Sequence, residues 1–530
     1  MMKRKAISTI WTLVLTLVLI IISTGVANAF ITETEKLTAS DGVSYDDFGY
    51  SVAISGDTTV VGAPYDDSAS GSAYVFVSSA SGWSQEAKLT ASDRTNSDYF
   101  GYSVAISGDT IVVGAYGDDS RTGSAYVFEK PITGWADMTE TEKLTATDGA
   151  PYDYFGFSVA ISGDTTVVGA HGDDDDGSSS GSAYIFVSSA SGWSQQAKLT
   201  ASDGASYDGF GYSVSISGDT AVIGAIYDDD KGSSSGSAYV FEKPATGWTD
   251  MTETEKLAAS DGASYDFFGY YVSISGDTAV VGAPDDDDNG DNSGSAYVFV
   301  NSASGWSQQA KLTASDGASY DEFGYSVSIS GDTIVVGAYG DDDNGSYSGS
   351  AYIFQKPILG WTGMTETEKL IASDATDYDF FGISVSISGY TAVVGADGDN
   401  GVGLWRGSAY VFVIVPPNSP PVIDSVNADP DILWPPNHKP VDVTITVVAT
   451  DPDGAEDIDK ITYSVLDEYG VYNVPETDIP EDGIISLIAE RNGDDQDGRL
   501  YIITIIVYDF GGMTDTTTIE IVVPHDNGMN

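Results

Sequence analysis

Short runs rich in alternating or β-branched residues recur along most of the chain, bounded by glycine and aspartate. In the first copy, residues 50–55 alternate between apolar and polar side chains, residues 58–63 are rich in Thr and Val, and Gly56 and Asp57 stand between them. A two-residue Gly-X connection between such runs predicts a β-hairpin. Two more strands are predicted at 71–77 and 84–90, and no segment shows the period of a helix. One copy therefore predicts four antiparallel strands.

A Phe-Gly pair marks each copy of this unit. The pairs begin at Phe48, Phe100, Phe155, Phe210, Phe268, Phe323 and Phe381. The pairs recur about every 55 residues, and seven four-stranded repeats of this length predict the blades of a β-propeller. The seventh copy ends after its third strand, whereas residues 32–40 (TETEKLTAS) match the fourth strand of the fourth copy, residues 252–260 (TETEKLAAS). We therefore predict an all-β, seven-bladed propeller over 30–414 whose N-terminal strand completes blade seven, so that no sheet edge is left open.

The first 29 residues predict a secretory signal. Basic residues at 3–5 precede an apolar run at 11–22, and Ala27-Asn28-Ala29 offers a small-residue cleavage site. An uncleaved membrane anchor is the alternative, but the run is short for a spanning helix of about 20 residues. The mature protein is therefore expected outside the cell or on its surface, with no membrane insertion after cleavage.

A second domain is predicted after a proline-rich linker at 415–422 (VPPNSPPV). Over 423–530, five short strands separated by turn residues predict a small β-sandwich. These strands are expected at 441–450, 461–466, 484–490, 500–509 and 516–523.

Charge narrows the possible partners. The chain has 80 acidic and 21 basic residues, a formal net charge of −59, and no cysteine. Nucleic acid and anionic lipid surfaces are poor partners for such a chain. The charge calls for neutralising cations, a salty environment or a cationic partner, and stability must arise without disulfides.

Nearly half of the acids occupy two sets of loops, those from the second to the third strand and those that enter the next blade. In an up-and-down blade both sets emerge on the same side, which predicts one strongly acidic face. Calcium is the favoured ligand, because residues 285–290 (DDDDNG) fit the first half of an EF-hand-like loop. The candidate ligands are Asp173, Asp175, Asp228, Asp230, Asp285, Asp287, Asn289, Asp291, Asp341 and Asp343. A solvated acidic surface, or a face for a cationic or sugar partner, remains open.

The Phe-Gly pair followed by Gly62-Ala63-Pro64, or by Gly282-Ala283-Pro284, resembles the FG-GAP repeat of the integrin alpha-chain propeller and of exported microbial proteins. The resemblance implies a seven-bladed propeller. In the integrin-type repeat a calcium loop separates the two strands, whereas here the connection is only Ser-Gly-Asp-Thr, too short to wrap the ion. The integrin calcium sites are therefore not expected here. The C-terminal segment resembles immunoglobulin-like or cadherin-like modules.

Little in the sequence points to catalysis. The propeller has one histidine, His171, in an acidic loop where it is expected at the surface, and no G-x-S-x-G nucleophile motif accompanies it. We expect a secreted or cell-surface adhesion or binding protein, not an enzyme, that contacts glycan or protein ligands through a calcium-binding acidic face. Tyr45, Tyr152, Tyr207, Tyr265 and Tyr320 offer stacking surfaces beside the acids. The alternatives are a polysaccharide-acting enzyme with a carboxylate pair, or a structural envelope protein without a specific ligand.

Overall fold

The computed structural model describes residues 31–357, 359–399, 404–414, 420–451, 458–480, 482–490, 498–510 and 512–524. The chain divides into two compact units, one over Phe30–Val415 and one containing Pro416–Asn530. The predicted signal, 1–29, lies outside the described residues, as does 415–419 of the predicted linker. Within the described residues, no helix has the length and apolar character needed to cross a membrane.

The first unit consists of seven mainly antiparallel sheets, and each sheet starts from an innermost strand at or just after a Phe-Gly pair. The innermost strands are β2 (Ser51–Ser55), β6 (Ser103–Ser107), β11 (Ser158–Ser162), β15 (Phe210–Ser217), β20 (Val272–Ser275), β24 (Ser326–Ser330) and β28 (Ser384–Ser388). The second strands are β3 (Thr58–Ala63), β7 (Thr110–Ala115), β12 (Thr165–Ala170), β16 (Thr220–Ala225), β21 (Thr278–Ala283), β25 (Thr333–Ala338) and β29 (Thr391–Ala396).

The outer half of each sheet is formed by a third and a fourth strand. The third strands are β4 (Ser72–Ser79), β8 (Ser124–Glu129), β13 (Ser182–Ser189), β17 (Ser237–Glu242), β22 (Ser295–Ser302), β26 (Ser350–Gln355) and β30 (Ser408–Ile414). The fourth strands are β5 (Gly82–Thr90), β10 (Glu142–Leu144), β14 (Gly192–Thr200), β19 (Glu255–Leu257), β23 (Gly305–Leu312), β27 (Glu368–Leu370) and β1 (Ile31–Leu37). The prediction of seven four-stranded blades is confirmed.

Two blades carry an additional strand that the sequence pattern did not reveal. The short strands β9 (Met138–Thr139) and β18 (Met251–Thr252) pair in parallel with β5 and β14, so blades one and three have five-stranded sheets. The long connections of blades two and four run past the neighbouring blade before they return as a fourth strand. Two short turns, at Asp66–Ala69 and Asp118–Arg121, lie between the second and third strands of blades one and two, and their central residues have left-handed backbone angles.

The N-terminal strand completes the last blade, as predicted. β1 pairs antiparallel with β30, and Glu35 lies opposite Val411. The Ser384 hydroxyl of blade seven donates a hydrogen bond to the carbonyl of Gly49 in blade one at 2.8 Å, the same contact that Ser326 makes with Gly382 one blade earlier. The seventh blade is therefore joined to the first in the way that its neighbours are joined to one another.

The Phe-Gly and Gly-Ala phrases are explained by this contact between blades. A Cβ atom on Gly224, in the second strand of blade four, would lie 2.0 Å from the carbonyl oxygen of Gly269, the Phe-Gly glycine of blade five. The phenylalanine of each pair is buried, and Phe268 packs edge-on against Tyr297 with ring centroids 5.5 Å apart. The Phe-Gly and Gly-Ala motifs are thus primarily architectural: they supply the close approach between blades and the ring that fills each one.

The hydrophobic core lies between blades. One cluster joins Val75 and Leu89 of blade one to Phe100, Phe128 and Trp135 of blade two, all buried. Burial of this apolar surface stabilises the fold by roughly 25 cal/mol per Å². Trp135 therefore packs between these two neighbouring blades.

The second unit is a β-sandwich. One sheet has the order β31-β32-β35 and the other β34-β33-β36-β37, and apolar residues from both sheets form one core. The strands are β31 (Val422–Asp429), β32 (Pro440–Thr450), β33 (Ile458–Asp467), β34 (Asn473–Asp478), β35 (Ile484–Ile488), β36 (Arg499–Asp509) and β37 (Thr514–Val523). All five predicted strands are present, and β31 and β34 were missed. The closer resemblance to immunoglobulin-like or cadherin-like modules stays a prediction.

Candidate functional site: the acidic face

The two sets of acidic loops meet on one side of the propeller, which we call the acidic face. The loop that enters each blade binds through its backbone to the loop between the second and third strands of the preceding blade. The amide of Tyr207 donates to the carbonyl of Ser178 at 2.8 Å, and that of Tyr265 donates to Ser233 at 2.8 Å. Both sets of loops therefore lie on the same side of the propeller, as predicted.

A buried aspartate closes each entering loop as a turn. In blade four the Asp208 carboxylate accepts a hydrogen bond from the amide of Ala205 at 2.7 Å. Burial raises the pKa of Asp208 to about 6, and the nearby charge of Asp228 adds to the shift. The corresponding residues are Asp46, Asp98, Asp153, Asp208, Asp266, Asp321 and Asp379. These seven carboxylates have a structural role that accounts for part of the acid found by sequence.

Three carboxylates converge at the outer end of blades three, four and six. In blade six these are Asp316, Asp341 and Asp343, which each place an oxygen within 4.8 Å of the other two. Asp341 is buried and the other two are exposed. The equivalent groups are Asp148 with Asp173 and Asp175, and Asp203 with Asp228 and Asp230. Six of the ten predicted ligands lie in these triplets, and such groups could hold a metal ion.

A lysine ammonium lies inside each triplet. The Lys369 Nζ is 2.7 Å from Asp316, 2.8 Å from Asp341 and 2.7 Å from Asp343. Burial alone would lower the pKa of this lysine, but hydrogen bonds to the three carboxylates outweigh it and raise the pKa above the ordinary value. Lys198 and Lys256 contact all three carboxylates of their own triplets. Three carboxylates against one ammonium leave each triplet with a charge of −2.

The lysine comes from the fourth strand and rests on a buried tyrosine from the third. The Lys369 ammonium lies 5.3 Å from the centre of the Tyr352 ring, and the Tyr352 hydroxyl donates to Asp341 at 2.7 Å. The same Lys-Asp-Tyr arrangement occurs in all seven blades, through Lys36, Lys88, Lys143, Lys198, Lys256, Lys311 and Lys369. Each blade therefore carries an internal cation, and in blades three, four and six it lies among carboxylates that were predicted to bind calcium.

The donor set suits calcium in type, because Ca²⁺ prefers six to eight oxygen ligands including carboxylates. The Asp triplets supply three such oxygens each, but the ammonium occupies the space between them. A calcium ion can enter a triplet only when the lysine side chain moves out.

Four predicted ligands in blade five do not form one group. Asp287 accepts the amide of Asn292 at 2.8 Å, and the amide of Asn289 donates to Ser293. Asp285 is half-buried, and burial with the nearby charge of Asp287 raises its pKa to about 6. The fourth, Asp291, accepts the amide of Tyr320 through its backbone carbonyl.

In blade five two of the carboxylates that surround the lysine belong to Asp286 and Asp288, each one residue after a predicted ligand. Lys311 pairs with Asp261 at 2.9 Å, Asp286 at 2.9 Å and Asp288 at 2.5 Å. The signal was present in the sequence: in blades three to seven the buried aspartate precedes the buried tyrosine of GSAY by eleven residues. The lysines were overlooked because a basic residue in the motif EKL or AKL resembles an ordinary solvated strand residue.

The position of His171 differs from the expected exposed loop. Its ring stacks on Tyr154 with centroids 5.1 Å apart and meets Phe157 edge-on at 4.3 Å. Burial lowers the pKa of His171 to about 4, so the imidazole is neutral at neutral pH. The surface prediction for His171 is wrong, because the chain turns the side chain inward against Tyr154 and Phe157 of its own blade.

Exposed tyrosines surround the acids. Tyr45, Tyr152, Tyr207, Tyr265 and Tyr320, the five predicted stacking residues, are between 53 and 67% exposed. Tyr378 of blade seven is the sixth at this position, and blade two has Ser97. All seven residues have a positive φ, between 64° and 76°. The backbone thus holds an aromatic ring outward from the loop in six of the seven blades.

The comparisons with known proteins agree with this repeat. The model of the FG-GAP repeat matches residues 31–76, 83–128, 138–186, 193–241, 251–299, 306–354 and 364–412. Among curated proteins no match is found.

Among solved structures, the beta-propeller domain of the Trilobed protease from Pyrococcus furiosus, described as having an open velcro topology, is similar at 8% identity and a TM-score of 0.32. The similarity covers 80% of this chain and 97% of that chain. The seven family matches together span more than half of the chain, each running from the fourth strand of one blade through the third strand of the next. The chain therefore belongs to the FG-GAP repeat family.

Proposed function

We propose that this protein is exported and binds extracellular glycan or protein ligands through its acidic face, without catalysing a reaction. An FG-GAP propeller is consistent with a binding or structural role, and such repeats are typical of extracellular proteins. The ring of exposed tyrosines carries the proposal. A left-handed backbone at a bulky residue costs on the order of 1–3 kcal/mol, and an exposed ring gains little burial in return. The tyrosines therefore serve contact with something outside the fold.

Sugars fit this surface better than other ligands do. An aromatic ring offers a flat apolar face and a hydroxyl, and neighbouring carboxylates accept hydrogen bonds from sugar hydroxyls. A lysine- or arginine-rich protein segment would use the same groups through cation–π contacts and ion pairs. Because one arrangement recurs around the ring, several weak contacts act together on a polymeric ligand.

Calcium is a secondary part of the proposal. Each triplet retains a charge of −2 beside its lysine, so the acidic face attracts divalent cations. Because an ion must first displace an ammonium, we expect wild-type affinity no stronger than the roughly millimolar range of weak extracellular sites. Asp148, Asp173 and Asp175 would hold an ion in blade three, and the triplets of blades four and six would act likewise.

The test of the binding proposal replaces the exposed tyrosines with serine, the residue that blade two already has at this position. Variants with one, three and six replacements are compared for retention on immobilised glycans and on cationic protein. We expect a graded loss, with each additional replacement weakening retention. Complete loss after neutralisation of a single carboxylate pair, together with release of sugar fragments, would instead establish the polysaccharide-acting enzyme.

A further inference from the structure

One position on the acidic face carries a side chain in six blades and none in blade four. The residue before each Phe-Gly pair reads Asp47, Tyr99, Tyr154, Gly209, Phe267, Glu322 and Phe380 in blade order. In blades two and three its ring covers the residue that follows the Gly-Ala pair. Tyr99 stacks on Tyr116 with centroids 5.1 Å apart, and Tyr154 stacks on His171 at the same distance. In blade four Gly209 has no side chain to offer.

A pocket of about 490 Å³ is present beside Gly209, at the junction of blades three and four. We call it the blade-four pocket. Its lining includes His171, Tyr207 and Tyr227, with Asp229 beside them. Tyr207 and Tyr227 are 67 and 42% exposed, so their rings are accessible from outside. The pocket therefore has aromatic walls at a point where the other blades place a side chain.

The polar groups of the pocket are available to a ligand. Three serines complete the lining, Ser179, Ser206 and Ser234, and their hydroxyls make no hydrogen bond within the described part of the chain. Asp229 uses Oδ1 to accept the amide of Ser234 at 2.8 Å. Hydroxyls that both donate and accept, beside a carboxylate that accepts, complement a ligand with several hydroxyl groups of its own.

The charge of the lining favours a neutral ligand. The lining contains no lysine or arginine, and His171 is neutral at neutral pH because burial lowers its pKa. An anionic ligand would meet the Asp229 carboxylate without a compensating cation. A quaternary ammonium ion would suit aromatic walls, but it would leave the serine hydroxyls without partners.

We propose that the blade-four pocket binds one neutral, polyhydroxylated ring, such as a single pyranose unit. The rings of Tyr207 and Tyr227 provide apolar contact, and the serine hydroxyls with Asp229 bind the hydroxyl groups. The inference rests on the proposed function for the class of ligand, and it adds a discrete small-molecule site to a face that otherwise repeats around the ring.

Gly209→Phe is the central variant. The backbone at Gly209 has a φ of 66°, and Phe267 and Phe380 hold the equivalent position at 52° and 55°, so this backbone accepts phenylalanine. A Cβ on Gly209 would lie 3.3 Å from Cδ2 of Tyr227, an exposed ring with room to shift. The new side chain is expected to fill the pocket and leave the fold intact, which thermal denaturation checks.

Saturation-transfer NMR on the full-length mature chain provides the readout. The probes are methyl glucoside, methyl mannoside and methyl galactoside, with tetramethylammonium and galacturonate for comparison. We expect at least one neutral glycoside to bind, with its affinity lowered at least tenfold by Gly209→Phe and by Tyr207→Ser. Tyr265→Ser, the same change one blade on, should alter the affinity less than twofold.

Three results would overturn the proposal: no neutral glycoside binds, binding survives both pocket variants, or tetramethylammonium or galacturonate binds more tightly than every neutral probe. The two hypotheses can fail separately. If Gly209→Phe abolishes glycoside binding while tyrosine replacements elsewhere have no effect on polymer retention, the pocket stands and the multivalent face does not. If Gly209→Phe misfolds, Tyr207→Ser with His171→Phe decides the matter.

Discussion

Replacement of Lys369 by methionine tests the role of the internal ammonium. The change keeps the unbranched side chain that lies over Tyr352 and removes only the charge. It leaves the carboxylates of Asp316, Asp341 and Asp343 close together without the cation that lies 2.7 to 2.8 Å from each of them. We expect a less stable blade that now requires a cation from solution.

The expected loss of stability follows from burial. Asp341 has 4% of its side chain exposed, while Asp316 and Asp343 have 35% and 58%. Removing one partner of a fully buried ion pair costs about 3–5 kcal/mol, whereas an exposed pair contributes about 0–1 kcal/mol. With one buried carboxylate and two that water screens, we expect a loss of about 3 kcal/mol in the free energy of unfolding.

Calcium should recover most of this loss. Without the ammonium, the three oxygens form an open anionic site that suits a hard cation. If the variant binds Ca²⁺ with a Kd near 10 μM, 1 mM calcium stabilises the folded state by about 2.7 kcal/mol. Thermal and urea denaturation followed by far-UV circular dichroism, with EDTA or with 1 mM calcium, measures the change. Calorimetric titration then gives the number of ions bound.

Lys356→Met is the matched control in the same blade. Lys356 pairs with Asp332 at 3.1 Å on an exposed hairpin, where the aspartate side chain is 75% exposed. We expect a cost below about 1 kcal/mol and no response to calcium. The reasoning is refuted if Lys369→Met is no less stable than this control, if calcium does not stabilise it, or if wild-type protein already binds one ion per triplet with micromolar affinity.

Three further predictions concern pH, the glycines and the closing strand. Burial, with the charge of a neighbouring aspartate, raises the pKa of Asp397 from 3.8 to about 8. The folded state therefore holds this proton more tightly than the unfolded chain does, so the stability of the protein should fall as the pH rises from about 4 to 8. The Asp397→Asn variant should show a flatter dependence of Tm on pH. Gly224→Ala should lower the free energy of unfolding, measured by urea denaturation, by more than about 3 kcal/mol, because its Cβ would lie 2.0 Å from the Gly269 carbonyl oxygen. Gly218→Ala has open space around the new Cβ and should lower it by about 1 kcal/mol. Equal losses for the two variants would contradict the close-approach argument. Deletion of residues 31–37 should lower the Tm and cause self-association through the open edge of β30, which light scattering would detect; a monomer of unchanged Tm would show that strand closure is dispensable.

Much of the fold could be read from the chain because its signals are local and repeated. Hairpin turns such as Gly56-Asp57 fix two strands at once, and seven copies of one pattern leave few architectures. The match between the N-terminal strand and the fourth strand of blade four identified its place in blade seven. The strands β9 and β18 could not be found in this way, because two residues that pair with a neighbouring blade have no period of their own.

The site was only partly predictable, for a different reason. The loop positions of the acids followed from blade topology, but the contacts among them depend on side chains that are distant in sequence. Lys369 meets Asp316 across 53 residues and Asp341 across 28. In the run DDDDNG at residues 285–290, four consecutive aspartates give no indication of which one points inward. In the structure it is Asp286, which accepts a hydrogen bond from the Tyr297 hydroxyl, and not Asp285.

The sequence by itself determined the number of blades, the order of strands within each, the strand that closes the ring and the side on which the acid collects, because each of these depends on short-range pattern and on chain connectivity. The tertiary structure decided what the acid does. Only packing could show that a lysine from the fourth strand lies among the carboxylates of each blade, that His171 is enclosed by rings, and that the missing side chain at Gly209 leaves a pocket, since each of these depends on which distant residues share a volume.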